Sequence, residues 1–261
     1  MVSEPDRVGN WQGGQRPVLP SDSLLRDSLL HLAGISAFTL GLALVVTWHF
    51  PLGWHFVAAT MIMIGLIFAF VLHSLPSHPH PRFGFANLVT AFRASLVSLT
   101  GAAVLFRDRL EHSDAALWTL IVVVLVALAL DGFDGYLARR YAQESELGAR
   151  FDMEVDALLI LILSVAAALA DKAGAWVILI GIMRYGFVAA QWFLPKLRRE
   201  LFASFRRKLV CVIQIVALCL VLMPVVEPAY STALSLIALA MLIYSFTVDT
   251  LYLMTRPDTL R

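Results

Sequence analysis

The sequence predicts an all-α, polytopic integral membrane protein with about eight transmembrane helices. Three observations carry that expectation. Of 261 residues, 59% are apolar and only 15% are charged, where a soluble domain carries about 25% charged residues. The mean hydropathy is +0.78. The apolar residues gather in runs of about 20, the length that crosses a bilayer core. Together these argue against an ordinary cytosolic enzyme, a disordered chain and a nucleic-acid binder. With 20 basic and 19 acidic residues, the net charge is +1, so nothing in the overall balance calls for a polyanionic partner.

Residues 1–27 read as a floppy cytoplasmic tail. The stretch Trp11-Gln12-Gly13-Gly14-Gln15-Arg16-Pro17 is polar and broken by Gly and Pro. No short apolar segment there ends in a small-residue cleavage site, so no signal peptide is expected. Two spans follow, 28–48 and 54–75, with little chemistry on them. They form a two-helix extension over 28–82, closed by the loop Leu75-Pro76-Ser77-His78-Pro79-His80-Pro81. His78 and His80 have neither Cys nor acidic neighbours and do not make a ligand set by themselves. Six further spans, 86–106, 115–138, 150–170, 174–194, 208–226 and 231–254, make a core over 83–255. Residues 256–261 are a second cytoplasmic tail. Only Asp171-Lys172-Ala173-Gly174 joins the fifth and sixth spans, which implies a tight helical hairpin.

Orientation follows from the basic residues, which favour the cytoplasmic side. With the N-terminus inside, Arg107, Arg109 and Lys172 fall outside and Arg184 lies within a span. The other sixteen of the 20 Lys and Arg fall inside. That asymmetry supports an even number of spans and cytoplasmic termini. The basic stretch 196–208 reads as a loop facing lipid headgroups. Cys211 and Cys219 are eight residues apart on one apolar run, about 12 Å along a helix, too far for a disulfide. They read as small membrane-core residues.

Carboxylates inside spans are the strongest chemical signal, because each costs about 2.5–3.5 kcal/mol at a helix centre. Asp131 and Asp134 are i and i+3 on one span; Asp152 and Asp156 are i and i+4 on the next. Each pair shares a helix face, and the loop at 139–149 turns the chain so that the two pairs can meet near one membrane surface. Four carboxylates repel unless compensated. Two divalent cations would balance them, and all-oxygen ligands favour Mg²⁺, Mn²⁺ or Ca²⁺ over zinc. On spacing alone, helix-end acids paired with Arg139, Arg140 and Arg150, or an ion pathway, remain open readings. Gly135, Ala138 and Gly148 are small enough to admit a ligand or a helix, and Arg139 can hold a phosphate. A diphosphate site fits this set.

The stretch Asp131-Gly132-Phe133-Asp134-Gly135-Tyr136-Leu137-Ala138-Arg139, then Gly148, Asp152 and Asp156, resembles the CDP-alcohol phosphotransferase signature DxxDGxxARx8GxxxDxxxD. All eight defining positions match over 26 residues. Upstream, Asn87-Leu88-Val89-Thr90-Ala91-Phe92-Arg93 resembles the NxxTxxR opening of the family's first core helix. The resemblance covers about 83–255 and leaves the first two spans outside. It implies that a polar alcohol attacks the β-phosphorus of a CDP-linked lipid and that CMP leaves. It further implies that Asp131, Asp134, Asp152 and Asp156 hold a pair of Mg²⁺ or Mn²⁺ ions, with Asp156 as general base. Asn87, Thr90, Gly135, Ala138, Arg139 and Gly148 would bind CDP. A bacterial inner membrane, a cytoplasmic-facing site, CDP-diacylglycerol as donor and a homodimer are the corresponding expectations.

The signature leaves the acceptor open. Arg184 lies eleven residues before Pro195, about 16 Å along a helix, at a depth similar to the motif acids. A buried arginine needs a partner, either a motif aspartate or an anionic acceptor. In the second case Arg184, Arg207 and Lys208 are the candidate acceptor-binding residues. Lys208 and Gln214 faintly resemble a pair in phosphatidylglycerophosphate synthases, although Tyr185 stands where those enzymes usually carry an acid. Glycerol 3-phosphate is favoured, inositol phosphate comes next, and inositol, serine and choline stay open. A divalent-ion transporter would spread its charges across the bilayer, whereas here they gather at one face.

Overall fold

The computed structural model describes residues 22–77, 82–110, 113–140, 145–198 and 204–255, with the side chains of 134–140 outside the description. The described residues form eight long α-helices, each overlapping one expected span. They are α1 (Asp22–His49), α2 (Trp54–Ser74), α3 (Phe85–Leu105), α4 (Asp114–Arg140), α5 (Glu146–Leu169), α6 (Ile178–Phe193), α7 (Phe205–Leu222) and α8 (Pro228–Thr255). Six are long and apolar enough to cross a membrane by length and composition. The other two, α5 and α7, start with charged turns. Those turns hold Glu146, Arg150, Asp152, Glu154 and Asp156 on α5, and Arg206, Arg207 and Lys208 on α7. The chain is therefore an integral membrane protein whose polar chemistry is concentrated at one end of two helices. His78, His80, residues 1–21 of the tail expected over 1–27, the tail at 256–261 and the first part of the α4–α5 loop lie outside the described residues; the rest of the expected N-terminal tail, 22–27, is the helical start of α1.

Burial separates the helices by role. In α3, 72% of the most apolar window is buried within the protein, against 17–28% in the other five apolar spans. This makes α3 the central helix, contacted by α1, α2, α4 and α5. α5 in turn packs on α3, α6 and α7. The outer helices turn large apolar side chains such as Leu30, Ile62, Leu66 and Ile237 outward, as expected where the surroundings are hydrocarbon rather than water. Trp48, Trp54, Trp192, Phe193 and Phe205, at helix ends, are strongly exposed, as interfacial aromatic side chains are. Close helix approach uses small residues. A Cβ added at Gly181 on α6 would lie 2.5 Å from the Leu161 Cα, so the two backbones are in contact there.

The three basic residues expected outside share one task at the end opposite the acidic cluster. Arg107 donates to the carbonyl of Leu169, the last residue of α5. Arg109 Nη1 donates to the Leu52 carbonyl at 3.1 Å, in the α1–α2 turn. Lys172 Nζ donates to Met223 O at 3.1 Å and Val226 O at 2.6 Å, just beyond α7. Helix C-termini leave carbonyls without intrahelical partners and carry partial negative charge; Arg107 meets such a carbonyl, and Arg109 and Lys172 hold carbonyls of the turns that follow α1 and α7. Asp171, φ 52°, makes the sharp α5–α6 hairpin.

The N-terminal pair of helices is packed into the same interior as the rest. Leu24, Leu32 and Ile35 of α1 and Ile64, Phe68 and Val71 of α2 share one buried cluster with Val97 of α3 and Leu159 of α5. A buried hydroxyl pair ties α1 to α3, with Thr39 Oγ1 donating to Ser95 Oγ at 2.6 Å.

Candidate active site

The site forms where α3, the C-terminal part of α4, and the beginnings of α5 and α7 converge. α5 starts cleanly because Ser145 is its N-cap and accepts from the Gly148 N–H at 3.0 Å, filling one of the donors left open at a helix start. Asp152 and Asp156 then fall one turn apart on the α5 face turned to α3 and α7. Asp131 comes from α4 and is 5% exposed. Ligand oxygens of Asp131, Asp152 and Asp156 lie within 4.8 Å of one another.

Arg93 holds this cluster together. It is 1% exposed, among the largest fully buried side chains of the chain. Its Nη1 lies 3.3 Å from Asp131 Oδ1 and also donates to Asp152 Oδ1; its Nη2 donates to Asp156 Oδ1. One guanidinium therefore touches three carboxylates from two helices, as its planar fork of donors allows. Lys208 Nζ approaches Asp131 Oδ2 at 3.7 Å from α7. Three negative and two positive groups leave a net charge of −1 among the described side chains. Cys211, one turn beyond Lys208, places Sγ 3.6 Å from Asp156 Oδ2.

The donor set fits a hard divalent cation. It is all carboxylate oxygen, tightly gathered and left with surplus negative charge. Asp134, three residues from Asp131 on α4, lies with Gly135, Ala138 and Arg139 in the stretch whose side chains are outside the described residues.

Thr90 and Asn87 sit about one and two turns before Arg93 on α3, and both are buried. Asn87 Nδ2 donates to the Phe83 carbonyl at 2.5 Å. Its Oδ1 faces α5, where a Cβ on Gly148 would come within 2.6 Å of it. Glycine at 148 thus lets α5 start directly against Asn87. Arg207, half-buried at the start of α7, lies one residue from Lys208.

Arg184 is placed differently from the two partners considered for it. Its Nη2 donates to Glu154 Oε1 at 2.5 Å. Glu154 is two residues from both Asp152 and Asp156, about 200° around the helix from each. Among the described residues the partner of Arg184 is thus this α5 acid, not a motif aspartate. The pair faces α6, while the cluster faces α3, α4 and α7.

Arg93, Glu154 and Cys211 were not singled out from the sequence as site residues. Arg93, grouped with the inside cations by the basic asymmetry, lies buried within α3; an arginine so far into an apolar span needs a buried counter-charge, the same reasoning applied to Arg184. Cys211 gave no comparable signal, because an apolar run disguises a thiol as a packing residue.

Fold and site define a helical membrane protein with a carboxylate cluster, fit for a divalent cation, at one end of its central helices. The family model for CDP-alcohol phosphatidyltransferase matches residues 83–246, and the chain belongs to that family. It is 34% identical over 98 residues to the CDP-diacylglycerol–glycerol-3-phosphate 3-phosphatidyltransferase of Cereibacter sphaeroides. That match covers 38% of this chain and 42% of the relative's length. No solved structure matches the chain.

Proposed function

We propose that the protein transfers a phosphatidyl group from CDP-diacylglycerol to a polar alcohol and releases CMP, with glycerol 3-phosphate as the acceptor. The observation that carries this reading is the junction of Asp131, Asp152 and Asp156 around Arg93. It gathers acids from both halves of the family signature onto one spot. The matched relative's name supports glycerol 3-phosphate.

In this reading Asp131, Asp134, Asp152 and Asp156 hold Mg²⁺ or Mn²⁺, two ions in all. Bound there, the metal supplies positive charge for the diphosphate and the departing CMP. Asp156 takes the proton from the acceptor hydroxyl as its oxygen attacks the β-phosphorus. The bond from that phosphorus to the CMP oxygen breaks, and CMP carries the electron pair away. Asn87, Thr90, Gly135, Ala138, Arg139 and Gly148 line the CDP side. Lys208 and Arg207 offer positive charge to a phosphorylated acceptor. Arg184 is held by Glu154 and reaches an acceptor only if that pair opens.

The residues 83–255 form the catalytic core and 28–82 an added pair of helices. The basic asymmetry supports a site at the cytoplasmic face of a bacterial inner membrane, open sideways to lipid and endwise to water. A homodimer remains part of the proposal from family resemblance alone.

The acceptor is tested by CMP release from CDP-diacylglycerol with Mg²⁺ across glycerol 3-phosphate, inositol phosphate, inositol, serine and choline. The expected result is turnover with glycerol 3-phosphate at least tenfold above the unphosphorylated alcohols. A Lys208→Ala variant should raise KM for that acceptor by about tenfold, the order of one charge-assisted contact. Turnover confined to a neutral or zwitterionic alcohol would overturn the assignment of Lys208 and Arg207 to acceptor binding.

A further inference from the structure

The two extra N-terminal helices lie outside the family match at 83–246, yet one of their side chains reaches the residue at which that match begins. Asp27 on α1 accepts from the backbone N–H of Phe83, with Oδ2 at 2.9 Å. His31, one turn further along α1, stacks on the Phe83 ring with centroids 6.4 Å apart. The His31 Nδ1 is 3.6 Å from the Asp27 Oδ1. Phe83 itself is fully buried.

Phe83 is in turn the anchor for Asn87. The N-cap of α3 is Gly84, φ 86°, which offers no side-chain cap. Asn87 instead reaches back and donates Nδ2 to the Phe83 carbonyl at 2.5 Å. That bond engages one of the two Nδ2 donors and leaves Oδ1 toward Gly148, at the first turn of α5. The backbone N–H and C=O of one residue therefore link α1 to Asn87, and Asn87 to the α3–α5 seam. Loss of the Asp27 acceptor would leave the Phe83 N–H unsatisfied in a part-buried setting, an unfavourable state that the segment relieves by moving.

We propose that Asp27 is a positioning residue for the nucleotide side of the site: by holding Phe83 it sets the orientation of Asn87 against Gly148. The added helices thereby contribute to the site as well as to packing. The inference rests on the proposed role of Asn87 in CDP binding.

The test compares wild type, Asp27→Ala, Asp27→Asn and Thr39→Val in the full chain in detergent. Asparagine keeps a carbonyl oxygen for the Phe83 N–H; alanine does not. Thr39→Val weakens a separate α1–α3 contact without touching Phe83. Steady-state CMP release should show KM for CDP-diacylglycerol raised about fivefold in Asp27→Ala, the order of one lost charge-assisted hydrogen bond after relaxation, with kcat within twofold. Asp27→Asn should restore the wild-type KM. Thr39→Val should lower the melting temperature and leave KM unchanged. Backbone amide exchange over 82–88 should accelerate in Asp27→Ala alone.

An unchanged KM in an active Asp27→Ala variant would overturn the inference. So would a KM raised equally by Thr39→Val, which would reduce α1 to a packing role. If the wild type releases no CMP with any acceptor, the proposed activity fails instead. Amide exchange then decides the tie separately: equal exchange at Phe83 in wild type and Asp27→Ala overturns it.

Discussion

Replacing Asp156 by asparagine is expected to lower kcat for CMP release by about a thousandfold, within the ~10²–10⁴ range that a positioned proton acceptor contributes. KM for CDP-diacylglycerol should change little. The variant should fold, for an electrostatic reason visible in the cluster. Asp131, Asp152 and Asp156 outnumber Arg93 and Lys208 by one charge. Removing one negative group lessens the repulsion among the acids, and asparagine keeps the shape and an acceptor for the Arg93 Nη2. The melting temperature without metal should therefore match or exceed that of wild type. Because Asp156 also belongs to the proposed metal set, the assay is run at saturating Mg²⁺. Activity that recovers fully as Mg²⁺ rises would remove Asp156 as the base and leave it a ligand. Full activity at all concentrations would remove both roles.

The second large effect is expected at Arg93. Its guanidinium is almost wholly buried and meets three carboxylates. Arg93→Ala removes one guanidinium from three carboxylates at once, while Lys208 still approaches Asp131. Removing one partner of a buried ionic cluster costs about 3–5 kcal/mol. For a chain of this size that corresponds to a fall of about 10 °C in melting temperature without metal. A divalent cation then has more to neutralise in the variant than in wild type. Since a ligand stabilises by mass action on the state it binds, Mg²⁺ should raise the variant's melting temperature by more than it raises that of wild type. Turnover should fall by at least about tenfold, because acids no longer held in place lose catalytic geometry. Equal stabilisation of the two proteins by Mg²⁺ would contradict this view of Arg93, as would an unchanged melting temperature without metal.

Much of the fold was legible because a bilayer imposes a simple rule. Spans must be apolar and about 20 residues long, and the expected starts and ends fall near those of α1–α8. The spacing of Asp152 and Asp156 gave their shared face, because helix periodicity is a local property. What stayed hidden depends on which helix lies beside which. Arg93 and Arg184 look alike in the sequence, each a cation within an apolar span. Only the packing of α3 against α5 gives the first to Asp152 and Asp156, and only α6 beside α5 gives the second to Glu154. Glu154 falls between Asp152 and Asp156 and off their shared face, so their spacing does not point to it. The link from Asp27 to Phe83 spans 56 residues and crosses from one pair of helices to another, beyond the reach of any local pattern. The basic asymmetry sets Arg107, Arg109 and Lys172 apart from the other cations, but their carbonyl partners at the α5 end and in the turns after α1 and α7 needed the packing.

The central claim is that the acidic cluster runs phosphatidyl transfer from a CDP-linked lipid. The most direct measurement supplies the purified full-length chain with CDP-diacylglycerol, glycerol 3-phosphate and Mg²⁺, and quantifies CMP and lipid phosphorus together. The account predicts CMP and a new phosphodiester lipid in equal amounts, both lost on chelation of the metal and both lost in Asp156→Asn. No CMP with any alcohol, from protein shown to bind Mg²⁺, would contradict it.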